Sequence, residues 1–165
     1  MAAQTEQEEE PVVNIVVAVD ESQESMRACE WACHHLLSAN PNARHSYNFT
    51  LLHVQSPACV SSGPAYILNS EVLHLLEYDE LRNTQKSLKR ALDICSYYDV
   101  KAETHVVIEE PKKKICEAAH KLGAIFLVMG SHGRGPFLRA IMGSVSDYCS
   151  QNATCPVVVV NKKVL

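Results

Sequence analysis

Residues Ala124–Ser144 read AIFLVMGSHGRGPFLRAIMGS. The first six, Ala124 to Met129, are apolar without a break and of a length that suits a strand buried on both faces. The run stops at Gly130, and Gly133, Gly135, Pro136 and Gly143 crowd the positions that follow, before Ser144 opens a helical segment. A buried parallel strand running through a glycine-rich loop into a helix is how α/β proteins build anion sites. Glycine lets the backbone approach a phosphate, and the free N–H groups at the positive end of the helix bind it. The stretch therefore predicts a phosphate, as part of a nucleotide, over Gly130, Gly133, Gly143 and Ser144.

Outward from this loop the chain alternates between strands and helices. Apolar, β-branched runs at 12–19, 47–54, 100–108 and 157–161 join 124–129 as five expected strands. Ser22 to about Ala39 reads as a helix, with Met26, Cys29, Cys33 and either Leu36 or Leu37 on its apolar face; Asn40-Pro41-Asn42 stops it. Glu71 to about Tyr98 is helical in pattern, with a bend or break expected near Tyr78. Its expected inner stripe is Leu81, Leu88, Leu92 and Cys95, and its solvated face carries Arg82, Lys86, Lys89 and Arg90. Helices at Pro111–Leu122 and Ser144–Asn152 complete the set. Such alternation requires right-handed crossovers, hence an open, doubly wound, Rossmann-like parallel sheet of five strands in the order 3-2-1-4-5, with helices on both faces. The switch point then falls between the first and fourth strands, and Asp20 and Gly130 lead into the same crevice.

Several residues carry two readings. Asp20, in Asp20-Glu21-Ser22, stands where open α/β sheets bind ligands, but Asp20 or Ser22 also suits the cap of the next helix. His53 has no visible partner and is read as structural or as pocket wall; His105 is read as tolerated within its strand. Gln55–Ser70, with Pro57, Gly63 and Pro64, leaves the same sheet end and is a candidate lid. Lys112-Lys113-Lys114, beside Glu109 and Glu110, reads as a solvated face. Cys29-x3-Cys33-His34 has half the pattern of a metal site, but no second ligand pair has metal spacing, so core packing is the expectation. Pro156 before Val157–Val160 fits an edge strand or a first-strand position, and the edge is the expectation. A bare four-valine edge invites pairing, so a second copy is expected against it.

The 165 residues are enough for one domain, Pro11 to Leu165, with a core needing no disulfide or metal. Residues 1–10, MAAQTEQEEE, read as a disordered acidic tail without the features of a signal or transit peptide. A net charge of −4 argues against nucleic acid and anionic lipid as partners, and no apolar run is long enough to span a membrane. Seven cysteines, an odd number, point to reduced thiols and a cytosolic setting with access to the nucleus.

The loop is neither a Walker loop, since G-x-x-x-x-G-K-[ST] is absent, nor a dinucleotide fingerprint, since the last glycine of G-x-G-x-x-G is missing. What stands is Gly130, two residues, Gly133, nine residues, then Gly143-Ser144. This spacing, flanked by LVMGSHGRG and MGSVSDYCSQNATCPVVVV, resembles the ATP-binding class of the universal stress protein family and its plant-type single-domain members. The resemblance covers nearly all of residues 12–161 and implies an adenine nucleotide alpha hydrolase-like fold. It implies ATP or a related adenine nucleotide as ligand, with Mg2+ held mainly through phosphate oxygens, and a homodimer formed through the C-terminal strand. By the same resemblance Val19, Asp20 and the backbone of Val54 hold the nucleoside, and Met129 and Gly130 flank the ribose. Gly133, Gly143, Ser144 and Val145 hold the phosphates, and His132 and Arg134 add side-chain contacts or are loop surface. Relatives often carry a small-acidic pair at Glu109-Glu110, so the local turn departs from their pattern. With no lysine in the loop and no nucleophile–base pair, the expected function is a nucleotide-dependent regulatory module of the stress response with at most slow ATP hydrolysis. The alternatives are a dimeric, chaperone-like interaction protein without a working nucleotide site and, more weakly, an adenylate-handling enzyme.

Overall fold

The computed structural model describes residues 12–38, 47–57, 70–131 and 142–161. The expected acidic tail, most of the candidate lid, and His132, Gly133 and Arg134 lie outside them. Successive side chains on a strand face opposite ways, and the first strand, β1 (Val13–Ala18), sorts the core by that rule. Ile15 and Val17, with Val19 just beyond, pack beside Met26, Cys29, Ala91 and Cys95. Val16 and Ala18 pack on the other side, beside Ile115, Ala118 and Cys149. Helices α1 (Gln23–Ala32) and α2 (Ser70–Tyr97) thus cover one face, and α3 (Pro111–Lys121) and α4 (Ser144–Asn152) the other. The remaining strands are β2 (Tyr47–Gln55), β3 (Ala102–Ile108), β4 (Phe126–Gly130) and β5 (Val157–Val160). All pairings are parallel in the order β3-β2-β1-β4-β5, as expected. β5 lies at the edge, in keeping with Pro156, and β3 holds the other edge with His105 exposed.

The helices depart from the sequence reading in three ways. First, α1 begins as read, with the Ser22 hydroxyl accepting from the Ser25 N–H at 3.1 Å, but it gives way at Cys33 to a π-helical turn, Cys33–Ser38. Met26, Cys29, Cys33 and Leu37 are buried, and Leu36 half-buried.

Second, α2 runs unbroken past Tyr78, and its buried face is Thr84, Ser87, Ala91 and Cys95; Leu81 and Leu92 are exposed. At 3.6 residues per turn the true stripe is rotated about 60° from the leucine stripe. Cys95 belongs to both stripes and Leu88, half-buried, packs against the core, so the expected stripe fails at Leu81 and Leu92.

Third, the helix ends consume residues assigned to strands. Asp99 adopts a left-handed conformation (φ 55°) and the Val100 N–H reaches back to the Cys95 carbonyl at 2.9 Å, so β3 starts at Ala102 and not at Val100. Gly123 (φ 61°) closes α3 in the same manner, with Ala124 N–H bonded to the Ala119 carbonyl at 2.9 Å. β4 consequently starts at Phe126 and includes Gly130 as its last residue.

Candidate functional site

β1 and β4 are neighbours, with Val17 opposite Val128. Both strands therefore release the chain at one end of the sheet, and Val19-Asp20 and Gly130-Ser131 follow from adjacent strands. Asp20 is half-buried, and its Oδ1 accepts from both the backbone N–H (3.0 Å) and the hydroxyl of Ser22. The Ser25 hydroxyl donates to the Asp20 carbonyl at 3.0 Å. Asp20 is thus fastened into the first turn of α1, which satisfies the capping reading. Its Oδ2 takes no hydrogen bond among the described residues, so the carboxylate keeps an acceptor for a ligand.

Val19 is buried; its N–H donates to the Leu52 carbonyl at 2.9 Å, and its carbonyl accepts from His53 Nδ1 at 2.8 Å. His53 is itself buried, with Nε2 3.1 Å from the Thr84 hydroxyl, which donates to Gln55 Oε1 at 2.8 Å. This polar chain ties the ends of β1 and β2 to α2. His53 is structural, as read, but its partner Thr84 is 31 residues away and leaves no local pattern. Val54, half-buried on β2, pairs with Val107.

Met129 and Gly130 stand at the end of β4. The Met129 side chain belongs to the core layer formed with α3 and α4, and its backbone lies in register with Val159 of β5. Gly130 has a packing reason to be glycine. A Cβ there would lie 2.6 Å from the Glu24 carbonyl carbon and 2.8 Å from both Glu24 O and Ser25 N. The first turn of α1 crosses directly over it.

α4 begins at the far end of the loop. Its N-cap is Gly143 (φ −75°, ψ 159°), which makes no side-chain capping bond. Ser144 is the first helical residue, as expected, and it is exposed. Capping needs a side-chain acceptor before the first turn, and Gly143 has none. The N–H groups of Ser144 and Val145 are left without intrahelical acceptors at the positive end of the helix. Ser146, unnoticed in the sequence, turns its buried hydroxyl the other way, to the carbonyls of Gly143 (2.9 Å) and Ser131 (3.0 Å). The Ser131 carbonyl also accepts from the Gly143 N–H, so the two ends of the 132–141 segment are joined at one oxygen.

An acceptor carboxylate on one strand end and an uncapped helix N-terminus beyond the next offer complementary chemistry: one suits hydroxyl donors, the other an anion. A doubly wound parallel sheet with this strand order is a Rossmann-like α/β protein. Residues 12–161 match the universal stress protein family, and the chain belongs to that family. It is 31% identical over 153 residues to universal stress protein YxiE of Bacillus subtilis, covering 88% of this chain and 97% of that protein. It is similar in structure to a universal stress protein family protein from Arabidopsis thaliana with AMP bound, with a TM-score of 0.65 at 22% identity over 92% of this chain and 93% of the other. A universal stress protein from Archaeoglobus fulgidus in complex with dAMP gives a TM-score of 0.56 at 22% identity, over 90% and 96% of the two chains.

Proposed function

We propose that this chain is an adenine-nucleotide-binding regulatory module of the stress response, taking ATP or a close relative at the switch point and hydrolysing it slowly at most. The observation that carries the reading is the convergence of Asp20 and the uncapped N-terminus of α4 on adjacent strand ends, joined through Ser131. In this reading Asp20 and the backbones of Val19 and Val54 meet the nucleoside, and the backbones of Met129 and Gly130 flank the ribose. The N–H groups of Ser144 and Val145 hold the phosphates, with Gly143 leaving room for their approach and His132, Gly133 and Arg134 adding to the site. Mg2+ would be bound through phosphate oxygens and so needs few protein ligands. The AMP and dAMP in the two relatives support this ligand class.

β5 lies at a sheet edge with Val157, Val158 and Val159 only half-buried, which supports a second copy as the partner. Residues 11–165 would act as one domain behind an acidic tail, in the cytosol with access to the nucleus.

Calorimetric titration of Mg-ATP into nucleotide-stripped protein tests the reading, with Gly143→Val as the paired variant. Gly143 has a φ of −75°, which valine also adopts, so the variant keeps its backbone and its N–H while a side chain enters the phosphate's path. Saturable binding by the parent and its loss in Gly143→Val, with unchanged circular dichroism, is the expected result. Absence of binding at millimolar ATP, or equal binding by both proteins, would overturn it.

A further inference from the structure

The sequence offered Cys29 and Cys33 without a second ligand pair; the fold supplies a third thiol. Cys95 of α2 reaches both, with Sγ–Sγ distances of 3.9 Å to Cys29 and 3.8 Å to Cys33. The three sulfurs all lie within 4.8 Å of one another, and the residues are 0%, 0% and 1% exposed. A point equidistant from three such sulfurs is about 2.2–2.5 Å from each, which is the range of a metal–thiolate bond, about 2.3 Å. We propose that Cys29, Cys33 and Cys95 form a closed, three-coordinate thiolate site for a soft monovalent d10 cation, with Cu(I) as the type ion.

Coordination number selects the ion. Structural zinc takes four ligands almost without exception, and no histidine or carboxylate joins this group among the described residues. His34, next in sequence to Cys33, is exposed and meets the Tyr98 ring edge-on at 5.9 Å. Burial also denies a fourth place to water. Thiolates without harder ligands favour Cu(I) over the divalent ions.

One further observation bears on the site. α1 changes to a π-helical turn at Cys33 itself, and such irregularities inside helices gather at functional sites. Loading is a substitution without redox change. Each Cu–S bond replaces an S–H bond, and the proton leaves to solvent.

The test is anaerobic competition for Cu(I) between the reduced full chain and a chromophoric Cu(I) chelator, followed by X-ray absorption of the loaded protein. The expected result is one ion per chain in a sulfur-only, three-coordinate shell, with release of three protons. Cys95→Ala should lower the affinity at least 100-fold, whereas Cys116→Ala, outside the cluster, should leave it unchanged. Wild-type spectroscopy decides the matter even if Cys95→Ala folds poorly. No competition by the parent, a shell containing nitrogen or oxygen, no proton release, or equal loss in Cys116→Ala would each overturn the proposal.

Discussion

Replacing Gly130 by alanine isolates one cause from another. If this glycine served only to admit a ligand, an added methyl group would leave the empty protein as stable as before. The geometry says otherwise: the new Cβ would sit 2.6 Å from the Glu24 carbonyl carbon and 2.8 Å from Ser25 N, where ordinary contact begins at 3.4 Å. Both obstacles are backbone, so no rotamer change relieves them. The first turn of α1 would have to retreat by about 0.8 Å, or β4 to bend away. Overpacking of this kind costs about 1–3 kcal/mol, and a backbone obstacle places Gly130→Ala at the upper end. For a chain of this size that corresponds to a fall in Tm of about 5–10 °C. Urea and thermal unfolding of nucleotide-free protein, followed by circular dichroism, measure it. The same displacement moves the turn that fastens Asp20, so nucleotide affinity should fall as well. A variant with the parent's midpoint in the absence of nucleotide would refute the packing argument.

The other expectations concern helix ends and buried polar bonds. Asp99→Gly should raise stability by about 0.5–1 kcal/mol, because glycine takes the left-handed conformation freely and removes a negative charge from a helix C-terminus; the urea midpoint should rise with an unchanged slope. Gly123→Ala is its mirror and should cost about 1–2 kcal/mol in the same assay, having a positive φ to strain. Ser146→Ala should cost about 1–2 kcal/mol, since its hydroxyl serves the buried carbonyls of Ser131 and Gly143. Thr84→Val nearly preserves shape but leaves His53 Nε2 without its partner, at about 1–3 kcal/mol; Thr84→Ser should recover most of that loss in parallel unfolding curves.

The sheet was legible because its strands announce themselves twice, as apolar runs and by the glycine, proline and acidic residues that end them. Val157–Val160 after Pro156 could be placed at an edge, and the end of β4 at the switch point, from these signals alone. What stayed hidden depends on approach distances. Cys95 stood on the expected stripe of α2, but no hydrophobicity pattern selects Thr84, Ser87 and Ala91 over Leu81 and Leu92. The π-helical turn at Cys33 and the left-handed Asp99 have no composition cue. Gly130 was read for the approach of a ligand, whereas the neighbour that the fold brings against it is the backbone of Glu24 and Ser25, which no local pattern reveals. The partnerships His53–Thr84 and Cys33–Cys95 span 31 and 62 residues, so only the fold brings them together.

The double use of the Ser131 carbonyl has a consequence for how such a protein can vary. Because Gly143 and Ser146 both anchor to that oxygen, the end of β4 and the start of α4 are held in place independently of what joins them. Lengthening a connection between fixed ends is cheap, about 0.6 kcal/mol for each doubling. The start of α4 should therefore hold its place beside the end of β4 when the chain between them is lengthened, because the bonds that fix it lie outside that chain.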